Sequence, residues 1–550
     1  MSSAVDTACR AAEAAFDAFR ETTPAARADL LKAIALKLER AGGNIVAAAN
    51  TETALPVARL VGELGRTTGQ LRFFATLLRE GSWAGIQIDT PQPERQPAPR
   101  PELRLRRIGV GPVAVFGASN FPLAFSVAGG DSVSALAAGC PVVYKAHSAH
   151  PETSLLVAQA VDAAVEQSGM PAGVFTLVSG NVGAELVAHP AIRAVGFTGS
   201  RRGGIALQSI AQSRTIPIPF YGEMSSVNPV LVFPGALAAR AARTGAEYVA
   251  SLTLGVGQFC TNPGLVLLPN GPGGDAFRDA AAAALAQSNS APMLTTGICQ
   301  AYGEGVAVWD AAKGVRSLGR GAGSPTDRDA SPALFEVSAA DFIAQPSLQQ
   351  EVFGPAGLIV RCDDRHGFRE VLQHLEGQLT VALHVEDVDH DAARQLLPAL
   401  ERLASVGVAR ASDGAALDVE ELTRFLARRA QLEYLRIDPL KVDAGKVADS
   451  MSASYAERHK VLPVQVTAAE LVVATSEPFV TDWVAEVERQ ARRSVRRLLN
   501  DCATRDRPAD TTSTCRRHPP SRRPRPASSA LSPTISRLQT LQMRRQVRTS

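Results

Sequence analysis

The chain has 550 residues, 45% hydrophobic, 20% charged and 5% aromatic, too long and too apolar for a disordered chain or a disulfide-stapled miniprotein. Its formal charge of +3 is uneven: residues 501–550 hold 11 arginines, no lysine and three aspartates, a net of +8, which leaves −5 for residues 1–500. The body is mildly acidic and carries no global nucleic-acid signature. The seven cysteines (Cys9, Cys140, Cys260, Cys299, Cys362, Cys502 and Cys515) are widely spaced with no CxxC pair, so no zinc site or redox dithiol is expected and a reducing cytoplasm fits them. Asp6 and Glu13 break up the N-terminal segment, unlike a signal peptide, and no stretch reaches the roughly 20 apolar residues of a membrane span.

In chain order, residues 4–82 are Ala/Leu/Arg-rich at helical spacing and predict helices; the Pro-rich stretch Ile86–Arg106, alternating at both ends, predicts a strand pair able to reach a neighbouring subunit. From Pro112 to Glu223 apolar runs (PVAVFG, PVVYKAH, GVFTLVSG, AVGFTGS, TIPIPFYGE) alternate with helical ones, which implies an α/β fold with a doubly wound parallel sheet. A second α/β segment runs from Met224 to about Arg402. Residues 403–498 then read as a small α+β unit: a helix over LDVEELTRFLARRAQ, a hairpin over VLPVQVTAAELVVATSE, and a basic helix ending in RSVRRLL. The last fifty residues, rich in Pro, Ser and Arg without apolar periodicity, are expected to be a disordered tail.

The glycines of Gly109-Val110-Gly111-Pro112-Val113-Ala114 match a dinucleotide fingerprint, but the strand follows them instead of preceding them, so the match is a decoy. FTGSRRGG is the better pyrophosphate candidate, because a strand there runs into a helix and Gly199 and Gly204 bracket the turn. Cys260, in GVGQFCTNPG, is either a nucleophilic thiol or a buried structural cysteine. Glu223, ending an apolar run, is a general base or a solvated loop carboxylate. Asn120, in FGASNFPLAF, falls where strand gives way to helix and would otherwise be an N-cap.

Together the stretches FGASNFPLAFSVAGGDSVSALAAGCPVVYKAH, AVGFTGSRRGG, YGEMSSVNP, GQFCTNPG and QEVFGP resemble the aldehyde dehydrogenase superfamily over residues 1–402. The wording KAHSAHPETS and GEMSSVNPV is most similar to its α-ketoglutaric semialdehyde (2,5-dioxopentanoate) dehydrogenase branch. The resemblance implies a Rossmann-type cofactor domain over 1–222, with the strand pair 84–107 for homo-oligomerisation, and a catalytic domain over 223–402, C-terminally truncated. It makes Cys260 the nucleophile, Glu223 the base that activates water, and the Asn120 amide with the Cys260 N–H the oxyanion donors. Lys145, His147 and Ser148, then Gly199, Ser200 and Gly204, and finally Glu351 and Phe353, would bind the dinucleotide. His147 stands where a glutamate grips the ribose hydroxyls in many NAD-preferring relatives, so NADP is expected, with NAD the alternative; a surface histidine is the bland reading. A semialdehyde with a distal carboxylate would need a cation, for which Arg66 and Arg72 are candidates against salt-bridged or solvated ones. His150, His189, His374, His384 and His390 lack metal-ligand spacing and are expected at exposed positions, so no metal site is expected.

Beyond residue 402 the resemblance stops. Residues 403–498, through LEYLRIDPLKVD and ATSEPFVTDW, resemble the N-terminal region of a type II secretion traffic ATPase, which implies docking to a secretion-system partner. No GxxxxGK[ST] occurs, since Gly445-Lys446 lacks both the upstream glycine and a following Ser/Thr, so no ATPase activity is implied. The change of family near residue 403 and the aperiodic tail predict two truncated reading frames joined together, leaving a crippled or inactive enzyme; a genuine fusion is the alternative. Single DNA reads spanning the codons for residues 380–510 test the join: loss of the junction makes it an assembly artefact, and its recovery makes the rearrangement real.

Overall fold

The computed structural model describes residues 3–323, 328–363, 365–411, 433–434, 461–466, 469–475 and 483–499, in two compact units that divide after Ala409. The predicted helix over LDVEELTRFLARRAQ, Gly445-Lys446 and the tail beyond Leu499 lie outside the described residues. Among the described residues no helix is long and apolar enough to cross a membrane.

Four helices open the first unit, Ser3–Arg20, Pro24–Arg40, Gly42–Thr53 and Val57–Glu80. Local chemistry sets their ends. Thr23 Oγ1 accepts the Ala26 N–H at 3.1 Å ahead of Pro24, and Gly81, at φ 86°, closes the last helix through its N–H to the Leu77 carbonyl. Strands β1 (Gln87–Asp89) and β2 (Leu103–Leu105) then pair antiparallel. Ile86, Ile88, Leu103, Leu105 and Ile108 around this ribbon are all exposed.

The five parallel strands β3 (Val113–Phe116), β4 (Val142–Lys145), β5 (Phe175–Val178), β6 (Ala194–Thr198) and β7 (Phe220–Glu223) form a sheet in the order β5-β4-β3-β6-β7. β3, β4 and β6 carry the predicted apolar runs and are buried along almost their whole length, because a strand covered on both faces needs apolar side chains, whereas β7 at the sheet edge is half-exposed. Val113 and Val115 pack with Leu31, Ile34 and Val161 on one face, while Ala114 and Phe116 pack with Val5, Leu186 and Ile192 on the other. The β6–β7 register sets Gly196 opposite Tyr221 and Thr198 opposite Glu223.

The next segment builds a seven-stranded sheet from β8 (Val230–Val232), β9 (Leu265–Pro269), β11 (Arg316–Arg320), β13 (Ala333–Ser338), β14 (Ala356–Cys362), β15 (Gln378–His384) and β16 (Ala404–Ala411), in the order β11-β13-β14-β9-β8-β15-β16; β10 (Ala291–Pro292) and β12 (Asp329–Ala330) pair beside it. Alternation again divides two cores: Leu265 and Leu267 pack with Phe335 and Val381, Val266 and Leu268 with Val249 and Phe277. Residues 404–411 thus continue this sheet, beyond the boundary read from sequence at 402.

In the second unit β17 (Glu433–Tyr434), β18 (Val461–Val466), β19 (Glu470–Thr475) and β20 (Ser494–Leu499) lie in the order β17-β20-β19-β18. The predicted hairpin is present as antiparallel β18–β19. RSVRRLL is not the end of a basic helix: the helix stops at Ala491, Arg492 turns at φ 53°, and Ser494–Leu499 runs as a strand parallel to β19.

Asp389 ties the catalytic layer together. Its carboxylate, 5% exposed, accepts the N–H groups of Gly235 (2.9 Å) and Ala236 (3.1 Å) at the start of helix Pro234–Thr253, and that of Glu386 (2.9 Å). Asp389→Ala is expected to lower the unfolding free energy by about 2 kcal/mol, read from the urea midpoint, with Asp389→Asn recovering part of the loss.

Candidate active site

Helix Val57–Glu80 presents Arg59, Glu63 and Arg66 on one face by their i, i+4, i+7 spacing, and that face holds the segment after β3. Arg59 Nη2 donates to the Asn120 carbonyl at 2.6 Å, and Glu63 Oε1 accepts the N–H groups of Leu123 and Ala124 at 2.8 and 3.0 Å. The Arg59 guanidinium lies 5.2 Å from the Phe121 ring centroid and 4.8 Å from that of Phe259, so one half-buried cation joins the Asn120 segment to the residue before Cys260.

Cys260 follows the short 3-10 turn Leu254–Gly257, in which Gly255, Val256 and Gly257 all have positive φ (57°, 59° and 64°). For Val256 this left-handed conformation costs roughly 1–2 kcal/mol. Gly257 cannot carry a side chain, since a Cβ would lie 2.3 Å from the Gly354 backbone. Buried side chains hold the strained turn. Gln258 Oε1 accepts the Leu294 N–H at 2.9 Å, and Asn228 Nδ2 donates to the carbonyls of Cys260 and Asn262, both at 2.8 Å. Asn228 is itself fixed by Ser226 and Thr380, and Gln378 Oε1 accepts the N–H groups of Val227 and Asn228.

The Cys260 thiol faces the Glu223 carboxylate at the end of β7, close enough for each to shift the other's proton affinity. Burial above all, then the negative charges of Glu223 and Glu351, pushes the thiol far above its ordinary range. Burial also raises Glu223, opposed by the thiol hydrogen bond and the Arg66 cation. Both groups are thus pushed toward their protonated forms, and a thiol beside a carboxyl group is the arrangement that proton transfer between them requires. Asn120, 6% exposed, donates from Nδ2 to the Gln258 carbonyl at 3.0 Å. A primary amide has two such hydrogens, so the second remains for an oxygen formed at Cys260. Asn120 caps no helix; the next one begins at Gly130.

On the cofactor side, β6 runs into helix Arg201–Ser213 as expected, with Ser200 the N-cap through Gly203 N–H to Oγ at 3.3 Å. Gly199 is exposed, and its N–H donates to the Glu223 carbonyl at 3.0 Å, which links the turn to the base. Gly204 is buried, and a Cβ there would meet the Met224 side chain at 2.7 Å. Lys145 ends β4 half-buried, its pKa lowered by burial, and among the described residues it has no carboxylate partner. His147 stacks on His150 at 5.2 Å between ring centroids, and its Nδ1 accepts the Ala149 N–H; burial, then His150 and Lys145, push it down to about 3, so the ring is neutral. Ser148 beside it is exposed. Burial lifts Glu351 to about 7, opposed by the nearby Ser225 hydroxyl and Ser226 N–H. Phe353 is half-buried next to Gly354, at φ 151°, whose carbonyl accepts from Asn262 Nδ2 at 3.1 Å. A nicotinamide dinucleotide fits these residues: an exposed helix start for phosphates, an uncompensated lysine, and a carboxylate for a ribose.

Other expectations divide. Arg72 is spent on Glu39 in a bidentate pair at 2.6 and 2.8 Å and anchors no substrate; Arg66 is exposed over the rings of Phe121 and Phe125. His150 and His189 are not exposed: His150 is fully buried between the Ala118 carbonyl and Ser154 Oγ, and His189, 3% exposed, meets Asp6 at 3.3 Å. His384 and His390 are half-buried, His374 exposed. Arg59, Asn228 and Gln378 carry no sequence signal beyond polarity; only the Asn-Pro dipeptide at 228–229 hints at a fixed turn. Behind Glu223 a cavity of about 560 Å³ is lined by Phe125, Asp131, Thr198, Tyr221 and Gln378 among others.

Residues 1–390 match the aldehyde dehydrogenase family, and residues 430–501 match the MshEN domain, the N-terminal region of type II secretion ATPases. The chain is 56% identical over 403 residues to "Alpha-ketoglutaric semialdehyde dehydrogenase 2" of Azospirillum brasilense, covering 73% of this chain and 77% of that one. It is 47% identical over 402 residues to "Alpha-ketoglutaric semialdehyde dehydrogenase" of Acinetobacter baylyi, covering 73% and 76%. An NAD-dependent benzaldehyde dehydrogenase from Corynebacterium glutamicum shares the fold, with a TM-score of 0.60 at 23% identity over 74% of this chain and 85% of that one. With the thiol, base, amide and dinucleotide turn arranged as above, the chain belongs to the aldehyde dehydrogenase family.

Proposed function

We propose that the first unit oxidises a semialdehyde to a carboxylate, with 2,5-dioxopentanoate giving 2-oxoglutarate, through a thiohemiacetal and a thioester on Cys260. The observation that carries this reading is the half-buried Cys260 thiol facing the Glu223 carboxylate, and the names of the two relatives support the substrate. Glu223 takes the thiol proton as Sγ bonds the aldehyde carbon. The new oxyanion meets the Cys260 N–H and the second Asn120 N–H, donors fixed beforehand by the fold. A bound nicotinamide dinucleotide supplies the hydride acceptor; Lys145, the turn at Gly199, Ser200 and Gly204, Glu351 and Phe353 would hold it. Glu223 gives up the thiol proton to solvent and, ionised again, deprotonates the water that opens the thioester.

NADP is the proposed cofactor, NAD the alternative. His147 is neutral and offers one N–H donor, so the cation for a 2′-phosphate is Lys145, with the Ser148 hydroxyl beside it. Arg66 remains the proposed anchor for the distal carboxylate. The exposed β1–β2 ribbon supports docking on a second copy of the chain, since a lone two-stranded ribbon is marginal in water. A cytoplasmic setting suits the free cysteines. The second unit supports a docking role toward a secretion-system partner that takes no part in the oxidation.

Cys260→Ala is expected to abolish aldehyde-dependent NADP reduction, Glu223→Gln to lower kcat by about 10²- to 10⁴-fold and Asn120→Ala by about 10²- to 10³-fold, measured at 340 nm. Turnover retained in Cys260→Ala overturns the mechanism. Lys145→Ala is expected to raise KM for NADP by about tenfold or more and KM for NAD by less. Equal losses for the two cofactors remove the argument for NADP.

A further inference from the structure

Hydrolysis of a thioester to a carboxylate and a thiol releases one proton per turnover. The water oxygen bonds the acyl carbon, its proton passes to Glu223, the C–S bond breaks with its electron pair on Sγ, and the thiolate regains a proton while the acid product ionises. Glu223 must therefore pass a proton onward before each new cycle, and it is buried on the thiol side. Its other side borders the 560 Å³ cavity, and Asp131 lines the same cavity.

Asp131 stands in the first turn of helix Gly130–Ala137, with its carboxyl laid over β6: a Cβ on Gly196 would come 3.2 Å from Asp131 Cβ and 3.3 Å from Oδ2. Glycine at 196 is what leaves room for it. Thr198, two residues along β6, is the register partner of Glu223. Among the described residues the Asp131 carboxylate makes no hydrogen bond or ion pair with protein, so it serves neither as a cap nor as half of a salt bridge. We propose that Asp131 acts through Glu223, receiving the proton of the deacylation step across cavity water and releasing it at the cavity mouth. The assignment rests on the acyl-transfer reading above.

The charges around it fit. Burial first, then the Glu223 carboxylate, lifts Asp131 to about 6, so near neutral pH it is ionised yet basic enough to take a proton. Arg107 and Tyr221 line the same cavity, Tyr144 lies behind Asp131, and Arg66, Cys260 and Glu351 act from the thiol side.

The test uses the full chain and p-nitrophenyl acetate, which acylates a nucleophilic thiol without cofactor. Asp131→Asn is expected to keep the burst of nitrophenol, which reports acylation, and to slow the steady state by about tenfold, with Asp131→Glu restoring much of it. An unchanged steady-state rate and pH profile in Asp131→Asn overturns the proposal, as does equal slowing of burst and steady state with a lowered melting temperature, which marks a structural role. A missing burst in the unsubstituted chain counts instead against the acyl-transfer reading. In that event the pH dependence of Cys260 alkylation by iodoacetamide, followed on its peptide by mass spectrometry, decides the coupling. Removing the Asp131 charge lets Glu223 ionise more easily, so the midpoint is expected to fall by about half a pH unit; a midpoint that stays put overturns the coupling.

Discussion

The juxtaposition of the Cys260 thiol and the Glu223 carboxylate is the constraint that the rest of the first unit serves. A thiol and a carboxylate taken out of water together are each disfavoured in the charged form, and the charge of either one disfavours ionisation of the other. Reaction depends on geometry fixed beforehand, and most of the polar side chains nearby spend their hydrogen bonds on backbone atoms of the two loops. Asn228, Gln258 and Gln378 hold the Cys260 turn; Glu63 and Arg59 hold the Asn120 segment. Each replaces a hydrogen bond that water would otherwise supply, which is how a loop can be buried and still satisfied.

The two sheets give those loops their positions. Glu223 is set at the end of an edge strand by parallel pairing to β6, so the register that builds the cofactor sheet also places the base. Cys260 arrives from the other sheet through a turn whose left-handed residues are locked against Gly354. A slip of one residue in β7 would turn Glu223 to the opposite face, so apolar burial of the sheet and correct aim of the base come from one register.

Periodicity made the helices and the two-sided strands legible in the sequence, because a strand covered on both faces shows an unbroken apolar run and its helices show a stripe. The chemistry-bearing residues were legible only as a constellation, since each one alone has a bland reading. What stayed hidden depends on partners distant in sequence. His150 looks like a surface histidine until β3 delivers the Ala118 carbonyl to its ring. Arg72 looks free until Glu39 arrives from another helix. RSVRRLL has good helix formers, yet β19 offers a ladder to pair with, and tertiary pairing outweighs a propensity of a few tenths of a kcal/mol per residue.

The electrostatics of the site have a cost that the surrounding fold must offset. Glu351 at about 7 and Asp131 at about 6 both stand above their ordinary range because burial penalises their charged forms. The folded chain thus binds more protons than the unfolded chain between about pH 4 and 7, and these groups make stability fall as pH rises through that window. Moving either carboxyl into water would remove the penalty, and with it the proton affinity near neutrality. The turn at Val256 carries a cost of the same kind, since a β-branched residue is held there in a left-handed conformation that glycine would adopt without strain. Rigid capping such as that of Asp389, and the closed packing of two cores in each sheet, supply the stability against which the strain and the buried charge are held.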